Sequence, residues 1–73
     1  HYGFILANIN RNILTADMPA YAAALVPGGD LVMSGFLEAD TAAVTQAAAE
    51  QGMETVAAEI REGWMMIRVK KKK

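Results

Sequence analysis

Asn8, Asn10 and Asn12 stand within five positions, with Arg11 among them. A side-chain amide donates and accepts hydrogen bonds at once, so such a run can orient a polar ligand without supplying charge. The run follows the apolar stretch Phe4-Ile5-Leu6 and precedes residues spaced for a helix. It therefore stands where a strand ends and a helix begins, which is where open α/β sheets bind ligands. The same residues also serve plain structure. Asparagine caps helices readily, and spacing alone favours a capped turn. Arg11 reads as a solvated arginine beside a helix start, with a contact to a carboxylate or to RNA as the alternative.

Other chemistries find less support. His1 is the only histidine, and no clustered carboxylates or second histidine stand near it to hold a metal. Ser34-Gly35 matches half of a nucleophile elbow, but the flanking pattern and a base histidine are absent. Glu38 and Asp40 mark the start of a helix. Glu54, Glu59 and Glu62 fall on exposed strand and turn positions. Trp64 is expected to pack on the covered face of a hairpin. Lys70 to Lys73 is read as a solvated tail.

These residues need elements to position them. Tyr2 to Ala7 is an apolar run consistent with a strand buried on both faces. Leu14, Met18, Tyr21, Ala22 and Leu25 recur at helical spacing. Pro19 interrupts that pattern and predicts a kink or two short helices, the second capped by Asp17. Pro27-Gly28-Gly29-Asp30 reads as a turn, and Leu31 to Phe36 as a second buried strand. Strand, helix and strand imply a right-handed crossover with the strands parallel. Asp40 can cap a helix over Thr41 to Gln51, with Val44, Ala47, Ala48 and Gln51 on one face and Gly52 as its left-handed cap. Met53 to Arg61 and Trp64 to Val69 alternate about Glu62-Gly63, which predicts an antiparallel hairpin.

Composition bounds the reading. At 73 residues the chain is one domain at most. A hydrophobic share of 53% is core-forming and argues against disorder. A net charge of −1 offers no field to draw nucleic acid or an anionic membrane. There are no cysteines, which excludes thiolate metal sites and fits a cytoplasmic location. No apolar stretch reaches the ~20 residues that span a bilayer, and the opening residues do not read as a signal peptide.

The run Ala7-Asn8-Ile9-Asn10-Arg11-Asn12-Ile13-Leu14 does not stand alone. With Asp17-Met18-Pro19, Leu25-Val26-Pro27-Gly28-Gly29 and Ser34-Gly35-Phe36, it resembles the carboxyl-terminal part of bacterial ribosomal protein methyltransferases of the PrmA type. The resemblance covers nearly the whole chain, and the asparagine run is its specific part. It implies an α/β fold: the C-terminal half of a Rossmann-like class I methyltransferase sheet, with two parallel strands, crossover helices and a closing antiparallel hairpin. It implies a parent enzyme that transfers methyl groups from S-adenosylmethionine to lysine and amino-terminal amines of large-subunit ribosomal protein eleven. The family's asparagine at the cofactor pocket corresponds by motif to Asn8. Ile9 and Asn10 correspond to the substrate side of the same turn. Ser34 would end a strand near the pocket floor. One departure is Gly3, where the family often carries an acidic residue.

The family binds its cofactor mainly through a glycine-rich loop after the first strand and an acidic residue after the second. Neither is present here. Gly28-Gly29 precedes a strand instead of following one. Residues 1–73 are therefore expected to form a single partial domain, a fragment without catalysis of its own, with no cofactor bound. The other reading is an autonomous small α/β module for protein interaction, and the codons upstream of His1 discriminate between the two. Two outcomes are expected of the 73-residue chain. Calorimetric titration with S-adenosylmethionine gives no saturable heat, and tight binding would contradict the fragment reading. The strand Tyr2 to Ala7 would leave an apolar edge and a bare sheet face, so the chain self-associates. A sharp monomer boundary in concentrated sedimentation runs would count against that.

Overall fold

The computed structural model describes residues 2–8 and 10–72. The elements follow in the order β1 (Tyr2–Asn8), α1 (Arg11–Ala24), β2 (Leu25–Leu37), a short 3-10 turn (Glu38–Asp40), α2 (Thr41–Glu50), β3 (Met53–Arg61) and β4 (Trp64–Lys71). They form one four-stranded sheet in the order β1-β2-β4-β3. β1 and β2 are parallel, joined through α1, whereas β4 runs antiparallel to both β2 and β3. The strand and helix order expected from the sequence is thus observed, as is the mixed sheet.

Alternation decides which face is covered. Leu31 and Met33 of β2 pair with Val69 and Ile67 of β4, and all four are fully buried. Leu14, Met18 and Ala22 of α1, with Val44 and Ala48 of α2, complete the same core. Both helices therefore lie on one face. On the other face Tyr2, Phe4, Leu6, Trp64 and Met66 are exposed. β1 is consequently not buried on both faces. It is an edge strand with only Ala7 buried and Ile5 packed against the core.

Helix α1 is continuous through Pro19, and Asn10, not Asp17, is its N-cap. Proline removes one amide bond, but its ring points to solvent here, and the helix is held by burial of Leu14, Met18 and Ala22 on either side. No loop follows: Leu25 both caps α1, its N–H bonding to Tyr21 O, and begins β2. Helix α2 ends as expected, with Gly52 at φ +77°, though Gln51 is exposed and lies off the buried face.

Pro27-Gly28-Gly29 is not a turn between elements. It is a wide irregularity inside β2. Tyr2 pairs with Leu25 and Phe4 with Asp30, so Val26 to Gly29 stand opposite Gly3 alone. The two backbones close tightly there. A Cβ on Gly29 would lie 2.9 Å from Val26 O and 3.2 Å from Gly3 O, which only glycine accommodates. The hairpin matches expectation, with Glu62 at φ +51° and Gly63 at φ +84°, the two left-handed residues that a twist-compatible two-residue turn requires. Its alternation breaks at Val56, which is bulged out between Thr55 and Ala57.

The lysine run is not wholly a tail. β4 extends through Lys71, and the Lys71 ammonium donates to Ala22 O at 2.6 Å and Leu25 O at 2.9 Å. It thereby satisfies carbonyls at the carboxyl end of α1, where the helix dipole favours a cation. Lys70 reaches Gly28 O at 3.4 Å and lies 3.5 Å from Asp30 Oδ1. Lys72 is exposed, and Lys73 lies outside the described residues.

Asp30 also accepts from Arg68 Nη2 at 2.7 Å. That hydrogen bond, followed by the charges of Arg68 and Lys70, holds the Asp30 carboxyl below its ordinary value of 3.8 against the opposing effect of burial. A depressed carboxyl stabilises the fold above its unfolded value, and the contribution is lost as pH falls below it. Unfolding measured from neutral pH to about pH 2 should show wild type more stable than Asp30→Asn at neutral pH, with the two converging in acid. Parallel pH curves would contradict this role of the Asp30 cluster.

Candidate functional site

The carboxyl end of β1 opens onto a cavity of about 440 Å³ lined by Asn8, Asn10, Ser34, Gly35 and Trp64. Four elements supply it. Asn8 is the last residue of β1 and pairs with Ser34 on the parallel neighbour β2. Asn10 precedes the first turn of α1. Gly35 sits in a bulge of β2, since Ser34 pairs with Met66 and Phe36 with Met65. Its φ of +91° turns the backbone so that Phe36 returns to the core while Gly35 stays at the cavity wall. Trp64 opens β4, between Leu37 and Arg61 on the flanking strands.

The asparagines have different duties. Asn10 Oδ1 accepts from Ile13 N at 3.1 Å, and its main-chain oxygen accepts from Leu14 N at 3.0 Å. Its side-chain oxygen is committed to the helix cap, which leaves only the amide hydrogens for a ligand. Asn8 is exposed, and its amide bonds no other described residue. Asn12 is exposed on α1, and its carbonyl accepts from Thr15 Oγ1 at 3.2 Å. Of the residues singled out in the sequence, Asn8, Asn10, Ser34 and Gly35 are brought together. Ile9 and His1 lie outside the described residues, as does the side chain of Arg11.

Trp64 is the correction. The sequence reading packed it on the covered side of the hairpin, yet it is 53% exposed and forms one side of the cavity. The signal was available. Met65, Ile67 and Val69 are buried, so the period of two sends Trp64, Met66 and Arg68 to the opposite face.

Among the described residues, the four lining side chains of Asn8, Asn10, Ser34 and Trp64 offer dipoles and an aromatic face, and none of them ionises near neutral pH. The perturbed titratable groups stand elsewhere. Asp30 and Arg68 form the ion pair on the open face, where the Asp30 bond and charge raise the Arg68 value. Tyr21, raised first by burial and then by the charge of Asp17, borders a separate apolar cavity with Tyr2 and Phe4. The described residues of the first cavity are thus arranged to position a polar group, with no side chain among them tuned for acid–base work.

Residues 1–72 match the family described as ribosomal protein L11 methyltransferase (PrmA). The chain is 42% identical over 67 residues to the ribosomal protein L11 methyltransferase of Phocaeicola vulgatus, covering 92% of this chain and 24% of that protein. It is 40% identical over 67 residues to the protein of the same name from Porphyromonas gingivalis, again with 92% of this chain covered and 23% of the relative. The chain therefore spans about a quarter of the length of these relatives. A crystal structure of ribosomal protein L11 methylase from Lactobacillus delbrueckii subsp. bulgaricus superposes with a TM-score of 0.89 at 24% identity, over 97% of this chain and 37% of that one. That likeness establishes the fold: the sheet and its two helices match those of part of that chain. With the match to residues 1–72, the chain belongs to the ribosomal protein L11 methyltransferase (PrmA) family.

Proposed function

We propose that this chain is the carboxyl-terminal part of an S-adenosylmethionine-dependent methyltransferase acting on lysine and amino-terminal amines of a ribosomal protein, and that it contributes the Asn8 corner of the site. The observation that carries the reading is the exposed Asn8 amide, bonded to no other described residue, at the carboxyl end of β1 beside the cavity of about 440 Å³. That position on a parallel pair is where such sheets bind ligands. Family membership supports methyl transfer as the class of reaction. The name of the relatives, ribosomal protein L11 methyltransferase, supports a ribosomal protein as the substrate. A ribosomal protein substrate and the absence of cysteine favour a cytoplasmic setting.

The donor set fits one end of the cofactor. Asn8 presents an acceptor and a donor suited to the amino-acid moiety, whereas the described lining residues include no carboxylate for a ribose. The 73-residue chain is accordingly inactive by itself in this reading. When bound, S-adenosylmethionine supplies an electrophilic methyl group on a sulfonium sulfur. The work left to this chain is positioning. The Asn8 carbonyl can accept an amine N–H and so aim the nitrogen lone pair, and its NH₂ group is a donor for a second polar atom of the ligand. Asn10 acts mainly by holding the start of α1 in place. The apolar edge of β1, with Tyr2, Phe4 and Leu6 exposed, supports self-association of the 73-residue chain.

In the full-length protein, Asn8→Ala should lower kcat/KM for methylation of the ribosomal protein by roughly 10²- to 10³-fold with the fold intact, the scale of losing a positioned polar contact. Asn10→Ala should instead destabilise the protein by about 1 kcal/mol as a lost cap, with a smaller effect on rate. An Asn8→Ala protein of wild-type activity would overturn the assignment.

A further inference from the structure

We infer that Trp64 is a specificity-determining residue of this site: its indole forms an aromatic wall against which the accepting amine packs once it carries methyl groups, and so sets how many it receives. The inference rests on the methyltransferase reading above. It starts from the placement of Trp64, which is 53% exposed, lies outside the buried core and borders the same cavity as Asn8. It is also the only tryptophan of the chain. Burial among the described residues does not account for it, because Trp64 stands outside the core cluster.

The chemistry follows from those neighbours. Each transfer forms one N–C bond, breaks the bond from sulfur to methyl, and releases one amine proton to water. The amine thereby grows in apolar surface, loses hydrogen-bond donors and stays cationic between transfers. Asn8 and Ser34 can serve an amine that still has N–H groups. A trimethylated ammonium has none, and within this cavity the surface suited to it is the indole face, through packing and cation–π attraction. Polar amides at one side and an aromatic ring at the other thus match the start and the end of a multiple methylation. Trp64 is held at the first position of β4 by pairing with Leu37 and Arg61, so its backbone is fixed while its ring stays accessible.

The test uses the full-length protein with Trp64→Ala and Trp64→Phe, the second keeping a smaller aromatic face. Trp64→Ala should weaken binding of N-acetyl-trimethyllysine amide by roughly 3- to 30-fold, the range of a cation–π contact, with Trp64→Phe in between. Mass spectra of the methylated ribosomal protein should shift from higher to lower methyl states in Trp64→Ala, with kcat/KM for the first transfer changed less than for the later ones. S-adenosylmethionine affinity should be unchanged. An active wild type whose Trp64→Ala variant keeps both the trimethyllysine affinity and the methyl distribution overturns this inference alone. A wild type that transfers no methyl group to a ribosomal protein overturns the underlying reading and this inference with it.

Discussion

Leu31 and Met33 of β2 are fully buried, and every other element depends on where they point. β2 is the shared strand: it pairs with β1 on one side and β4 on the other, and its inner face receives α1, while α2 packs on β3 and α1. Close packing against Leu14, Met18, Val44, Ile67 and Val69 makes that face intolerant of a shift. A one-residue slip would send Asp30, Val32 and Ser34 into the core and Leu31 and Met33 to water. Register in β2 therefore sets the register of β1 and β4, and through them the place of Asn8 and Trp64.

The two irregularities of β2 lie at opposite ends of this rigid segment. At Pro27-Gly28-Gly29 extra residues are absorbed where the chain leaves α1 directly for the sheet. At Gly35 one extra residue lets Phe36 regain the core after Ser34 has faced the cavity. Bulges re-aim side chains without ending the strand, which is why they border functional sites. The cavity is thus a consequence of keeping the core strand intact while its end bends away. Charged side chains secure the opposite end. Lys71 satisfies carbonyls at the close of α1, and Asp30 gathers Arg68 and Lys70 across the strands. A solvated lysine run would have left the helix end to water and Asp30 with Arg68 as its partner.

Much of this was legible in the residues. The period of two in the hairpin, its turn at Glu62-Gly63 and the helix Thr41–Glu50 with its glycine cap all rest on local preferences that the surroundings reinforce. Asn8 and Asn10 were legible because a strand end followed by a helix start is written in neighbouring residues. Pro19 misled because a local breaker was weighed without the burial on both sides that holds α1 together. Tyr2, Phe4 and Leu6 misled because an apolar run does not say how many of its faces are covered.

The sequence by itself determined the order of elements, the parallel crossover followed by a hairpin, and the asparagine turn that marks the family, since each depends on residues adjacent along the chain. Only the tertiary structure decided that Trp64 joins Asn8 across 56 positions of sequence, that Lys71 serves the end of α1, and that one face of the sheet stays open. Those outcomes follow from strand order and from which face the helices take, and no local pattern encodes the sum of contacts that chooses them.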